Sequence, residues 1–140
     1  MERLKSEIFK AIADNTRLRI INLLLSTDEA LCVCELVGAL RLPQYQVSKH
    51  IGILKNIGLV ITERKGTWVY YSLSSGSDNL RLFNFLREFL DDNGFRMDSH
   101  ALMVRLKLRE DGNCVVGFVP EEEIVELLKD KGVKIQTQIY

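Results

Sequence analysis

Several protein classes are closed to this chain by what it lacks. Its 140 residues hold only three cysteines, an odd count that suits a disulfide framework poorly, and two of them stand one residue apart, so reduced thiols are expected. There is no Cys-x-x-Cys, no glycine-rich phosphate loop and no histidine close to the cysteines in sequence. A thiol oxidoreductase or other thiol-dependent enzyme is therefore the weakest reading. No apolar run is long enough to span a bilayer, and Met1-Glu2-Arg3-Leu4-Lys5 lacks a signal peptide's apolar segment, so a cytoplasmic location without membrane contact is expected. At 46% hydrophobic, the chain can bury one core and a small appendage, but not two large domains.

Net charge is absent too, at +0, which argues at first against nucleic acid. The average hides an asymmetry. From Arg41 to Tyr71 the charges are Arg41, Lys49, Lys55, Arg64 and Lys65 against Glu63 alone, net +4. From Glu110 to Lys131, Glu110, Asp111, Glu121, Glu122, Glu123, Glu126 and Asp130 face Lys129 and Lys131, net −5. Phosphate binding needs local positive charge rather than a basic protein overall.

That basic stretch is also the best-ordered motif. From Pro43, Val47, Ile51 and Leu54 recur at helical spacing until Gly58 stops the helix; Pro43 suits the first helical position. Leu59-Val60-Ile61-Thr62 and Trp68-Val69-Tyr70-Tyr71 read as two strands around an Arg64-Lys65-Gly66 tip. With a short helix at Cys32–Leu40 ahead of it, the order is helix–turn–helix and then a hairpin wing, an order that places a helix in the major groove of double-stranded DNA. Burying Val47, Ile51 and Leu54 leaves Gln44, Tyr45, Ser48 and Lys49 on the opposite face. Gln44 suits an adenine edge, Ser48 either kind of base, and Lys49 a guanine or a phosphate. Gln46 and His50 lie on the same helix, with His50 at the edge of the reading face, where phosphate contact or packing is expected. Arg64, Lys65, Gly66 and Thr67 form a wing tip suited to backbone or minor-groove contact.

Around this module the periodicity predicts helices at Glu2–Ala13, Thr16–Leu25 and Asn79–Leu90. The second should bury Leu18, Ile21, Leu24 and Leu25. On the last, Leu82, Phe83, Phe85, Leu86, Phe89 and Leu90 cover more of the circumference than a small monomer hides. A homodimer held by the Asn79–Leu90 helix, with the Leu4–Ile12 helix beside it, is expected. Beyond a linker at 93–97, Leu102, Val104, Leu106 and Leu108 alternate with polar neighbours, Asp111-Gly112 signals a hairpin, and Cys114–Val119 reads as a second strand. Pro120 opens a helix that Gly132 closes, and 133–139 alternate as a last strand. The fold class expected is mostly α with a β wing, a winged helix–turn–helix over 1–92, plus a small α+β (ββαβ) appendage over 98–140.

These motifs, in this order and spacing, resemble the ArsR/SmtB family of bacterial winged-helix repressors that sense metals and metalloids. The resemblance covers roughly residues 4 to 90. It rests on Ala13-Asp14-Asn15-Thr16-Arg17-Leu18, Leu31-Cys32-Val33-Cys34-Glu35-Leu36, Val47-Ser48-Lys49-His50-Ile51, Gly58-Leu59-Val60 and Gly66-Thr67-Trp68-Val69-Tyr70-Tyr71-Ser72-Leu73. It implies that Cys32 and Cys34 form an inducer site, as in the arsenite- and cadmium-responsive branches. Arsenite-responsive members carry a third cysteine where this chain has Val37. Cys114 can complete the set only if the tail folds back. The family's other metal site uses Asp and His on the dimerisation helix, and no histidine lies between Asn79 and Leu90; His100 is isolated.

Thiolates select soft ions such as As(III), Sb(III), Cd(II) or Pb(II) over Mg or Ca, acting here as inducers rather than constitutive cofactors. Residues i and i+2 of a regular helix point roughly 200° apart. Binding by Cys32 and Cys34 then requires an irregular or unwound first turn, which would shift the recognition helix. A cysteine redox switch is the alternative, and small half-buried hydrophobes the bland one.

Overall fold

Asp14 sets where the first long helix begins, its carboxylate accepting the Arg17 N–H at 3.0 Å as a helix N-cap. The computed structural model describes residues 4–91 and 95–133. Helix α1 (Lys5–Ile12) ends just before this cap, and α2 (Asn15–Leu25) follows it. α2 buries Ile20, Ile21, Leu23 and Leu24; Leu18 and Leu25, expected on that face, are half-buried.

α3 (Val33–Leu40) and α4 (Gln44–Asn56) form the helix–turn–helix. Arg41 turns the chain between them in the left-handed region, φ 57°, its N–H returning to the Val37 carbonyl at 2.9 Å. Pro43 is the N-cap of α4 rather than its first helical residue. Val47, Ile51 and Leu54 are buried as their spacing requires. Gly58, at φ 86°, ends the helix. Its N–H reaches Lys55 O and that of Leu59 reaches Leu54 O, both at 3.0 Å, the paired bonds of a Schellman motif.

The wing is an antiparallel pair, β1 (Val60–Lys65) and β2 (Trp68–Leu73), registered from Val60↔Leu73 to Lys65↔Trp68. Both strands run further than the sequence suggested. Arg64 and Lys65 lie in β1, and the turn is the two-residue Gly66-Thr67, with Gly66 at φ 63° as such a tight hairpin needs. Helix α5 (Ser77–Phe89) then buries Phe83 and Leu86 and leaves Phe85 and Phe89 57% and 67% exposed, their rings stacked at 5.4 Å.

The C-terminal part departs from expectation. The first strand expected of the ββαβ appendage is helix α6 (Arg96–Leu106), and Cys114–Val119 is an irregular strap with only a single bridge, Glu110↔Asn113, before it. Helix α7 (Glu121–Asp130) stands where Pro120 and Gly132 placed it. The expected last strand lies, beyond Val133, outside the described residues. Residue 95 onward is already turning into α6, and residues 93 and 94 of the expected 93–97 linker lie outside the described residues.

α6 does not hang away from the helices before it. Ala101, Leu102, Val104 and Leu108, with Ile124 and Leu128 of α7, belong to the same buried cluster as Leu36, Ala39 and Leu40 of α3. Arg19 of α2 clamps Asp98 with two bonds of 2.8 and 2.9 Å, and Gly38 of α3 lets the Arg105 stem approach. A Cβ at Gly38 would stand 3.2 Å from Arg105 Cδ. Among the described residues no helix is long and apolar enough to cross a membrane.

Candidate functional site

Cys32 is not in α3. It is the N-cap, in extended conformation at φ −82°, ψ 156°, and the helix starts at Val33. The Glu35 carboxylate accepts the Cys32 N–H at 3.0 Å, the reciprocal half of a capping box with cysteine in the usual serine position. Of the two routes expected, an irregular or an unwound first turn, the structure has the irregular one, and α3 need not unwind to bring the two sulfurs together. The divergence expected of two helical residues does not apply when the first precedes the helix.

The strap after α6 supplies the third thiol. Cys114 is buried, its Sγ stands 3.6 Å from Cys34 Sγ, and the sulfurs of Cys32, Cys34 and Cys114 all lie within 4.8 Å of one another. The Cys34 and Cys114 thiols both point at the Val116 carbonyl, at 3.8 and 3.4 Å. Hydrogen bonds from Cys32 and Cys34 hold the Cys114 thiol well below its ordinary range, with Arg105 and Arg109 adding to the effect against the cost of burial. The same bond to Cys114 pushes Cys32 and Cys34 up.

Four residues that the sequence reading did not single out build this pocket. Glu35, fully buried, takes both Arg109 Nε and a terminal nitrogen at 2.7 Å, a bidentate pair. Arg109 also donates to Ala30 O at 2.6 Å and meets Glu29 at 3.2 Å. Tyr70 of β2 accepts the Cys114 N–H at 2.9 Å, and its ring lies under Arg109 and Lys65, 5.5 and 5.4 Å from the centroid. Arg105, 1% exposed, donates to Val116 O at 2.8 Å and Gly117 O at 3.2 Å, while its Nε has no partner. Only Glu35 left a readable sign, the capping-box spacing Cys32-x-x-Glu35.

The thiol pocket is tied to the wing. Leu31, next to Cys32, exchanges two backbone bonds of 2.9 and 2.8 Å with Tyr71, and Tyr70 holds the Cys114 backbone. On the far face of α4, Gln44, Tyr45, Ser48 and Lys49 are exposed together, and Gln46 is half-buried. Arg64, Lys65, Gly66 and Thr67 are exposed on the wing. His50 turns away from this face. Its Nδ1 meets Arg17 at 3.0 Å and lies 3.8 Å from Asp14, so it packs against the start of α2. His100 is exposed on α6.

With this geometry in view, the comparisons with known proteins converge. The profile "Bacterial regulatory protein, arsR family" matches residues 14–62. The arsenical resistance operon repressor of Bacillus subtilis is 37% identical over 86 residues, 56% of this chain and 81% of that protein. The chain belongs to the arsR family. An arsenic resistance transcriptional regulator of Pseudomonas putida is 47% identical over 66 residues, 47% of this chain, and the chain spans only 51% of that relative's length. Among solved structures, reduced HlyU from Vibrio cholerae is similar, with a TM-score of 0.54 and 32% identity, covering 63% of this chain and 90% of that one. The arsR profile takes in Cys32 and Cys34 and stops well short of Cys114. The third thiol and the two arginines around it therefore lie outside the part that the profile matches.

Proposed function

We propose that this arsR-family protein is a cytoplasmic, homodimeric repressor that binds operator DNA through α4 and the wing and leaves it when a thiophilic ion enters the Cys32–Cys34–Cys114 pocket. The observation that carries this reading is the convergence of three buried sulfurs from two distant segments beside the wing strand. A tetrahedral ion with metal–sulfur bonds of ~2.3 Å spaces its sulfurs about 3.8 Å apart. The existing separations, all within 4.8 Å, need only a small contraction. Every donor is soft, which suits As(III), Sb(III), Cd(II) or Pb(II); the names of the relatives, arsenic and cadmium resistance regulators, agree.

The contraction has a direct route to DNA. Drawing Cys32 and Cys114 inward pulls on Leu31–Tyr71 and on Tyr70, both anchored in β2, so the pocket acts on the wing rather than by unwinding α3. An ion with different affinity for two wing positions shifts the equilibrium between them, as release requires.

Anisotropy of labelled operator with and without arsenite, cadmium or lead tests the whole reading. Lys49→Ala and Arg64→Ala should each weaken binding, the wing change lowering the salt slope with little loss of specificity. Equal operator affinity in the wild type and a Gln44/Ser48/Lys49 triple alanine variant would remove DNA reading by α4. For the dimer, the stacked and exposed Phe85 and Phe89 of α5 form an apolar patch, and exposed Phe9 of α1 lines the same groove as Phe85. Phe85→Glu or Phe89→Glu should bury an unpaired charge between subunits and cost several kcal/mol. Sedimentation showing both variants dimeric at micromolar concentration would place the interface elsewhere.

The 3.6 Å approach of Cys34 and Cys114 also favours a second reading, a disulfide in which the two thiols lose two protons and two electrons to an oxidant such as hydrogen peroxide. Release by peroxide and reversal by dithiothreitol, with no response to ions, would favour it.

A further inference from the structure

The charges around the three thiols do not cancel. Arg109 is matched by buried Glu35 and by Glu29 at the rim. Lys65 lies over the Tyr70 ring and is exposed. Arg105 is different: it is 1% exposed, forms no ion pair among the described residues, and has an orphaned Nε. Its guanidinium shares the Val116 carbonyl with the Cys34 and Cys114 thiols, so the cation and two of the three sulfurs converge on one oxygen. Gly38 makes room for its stem, and no carboxylate is supplied. A buried cation without a partner is costly unless the site itself provides the opposite charge.

We propose that Arg105 is the counter-ion of the ligand complex and makes this pocket selective for soft divalent cations, which form a monoanionic trithiolate, over trivalent arsenic, which forms a neutral one. This rests on the three-thiol reading above. The bookkeeping of atoms and charge decides the difference. A divalent ion forms three metal–sulfur bonds as three thiol protons leave, and the complex carries one negative charge. Arsenous acid forms three As–S bonds as three As–O bonds break, the three hydroxides leaving with the three thiol protons as water, and the complex is neutral. No electron changes hands in either case. The monoanion pairs with Arg105 in the low-dielectric pocket, whereas the neutral complex leaves Arg105 buried without a partner.

The test is titration of the purified dithiothreitol-free protein with Cd(II), Pb(II) or arsenite, read by sulfur-to-metal charge-transfer absorbance and by competition with a chelator or dithiol. Arg105→Met, which keeps the stem's packing over Gly38, should weaken Cd(II) and Pb(II) roughly hundredfold and leave arsenite unchanged or tighter. Arg105→Lys, which restores the charge, should recover most of the divalent affinity. Thermal unfolding of the ion-free variants separates loss of fold from loss of charge. Equal weakening of both ion classes, or none in either, in a folded Arg105→Met protein overturns the proposal while the thiol site stands. If no ion binds the wild type, or if Cys32→Ser and Cys34→Ser bind as the wild type does, the thiol reading itself fails and this inference goes with it.

Discussion

Replacing Cys114 by Ser is expected to abolish operator release by thiophilic ions while leaving operator affinity in their absence unchanged. The hydroxyl is nearly the size of the thiol but is a harder and weaker donor. Removing a direct ligand should cost more than the roughly 10- to 100-fold that changes behind the ligands typically cost. Cys32→Ser and Cys34→Ser should behave alike, since the three sulfurs stand within 4.8 Å of one another and no fourth thiol exists in the chain. DNA affinity should survive because Cys114 touches the wing through its backbone N–H to Tyr70, which the substitution keeps. Val37 lies one turn beyond Cys34 on α3, so Val37→Cys in the Cys114→Ser background should restore part of the response. A Cys114→Ser protein that leaves the operator at wild-type ion concentrations would take the strap out of the site.

The second large effect is on stability. Glu35→Gln should cost about 3–5 kcal/mol of unfolding free energy, because removing one partner strands the other charge inside. Glu35 is fully buried, and the Arg109 side chain it holds is 7% exposed, with only the rim carboxylate of Glu29 left to meet it. Glu35 also caps the Cys32 N–H, so the start of α3 loosens along with the pair. Replacing both partners with methionine should recover much of the loss, since no charge is then left unpaired. Urea unfolding measures this directly. A loss below about 1 kcal/mol would mean that the pair behaves like a solvent-exposed bridge.

The winged module was legible in the sequence because each of its signals is local. Val47, Ile51 and Leu54 mark the buried side of α4, Gly58 its end, and Gly66 the turn. The region after residue 95 was misread for an identifiable reason. Leu102, Val104, Leu106 and Leu108 do alternate with polar residues, but the true buried set is Ala101, Leu102, Val104, Arg105 and Leu108, which follows a helix. Counting Arg105 as an outward-facing residue converted that period into a strand's. An arginine belongs inside only where carbonyls and thiols await it, and those come from the strap and from α3, out of reach of any local pattern. The pairing of Cys34 with Cys114 was illegible for the same reason, as was the release of Cys32 from α3. That release depends on the one-residue difference between N-cap and first helical turn, which periodicity does not resolve. The exposed face of α4, Gln44, Tyr45, Ser48 and Lys49, was legible, and so was packing as one of the two roles open to His50, which Arg17 and Asp14 hold.

The distance along the chain between Cys34 and Cys114, 80 residues, gives the pocket a place in the order of synthesis. During translation the winged module, with Cys32 and Cys34 already at the head of α3, emerges and begins to fold several seconds before Cys114 does, at roughly 5–20 residues per second. Until then the nascent chain carries two of the three ligands. On the proposed function, a newly made copy therefore gains its DNA-reading helix and wing before its ion pocket is complete.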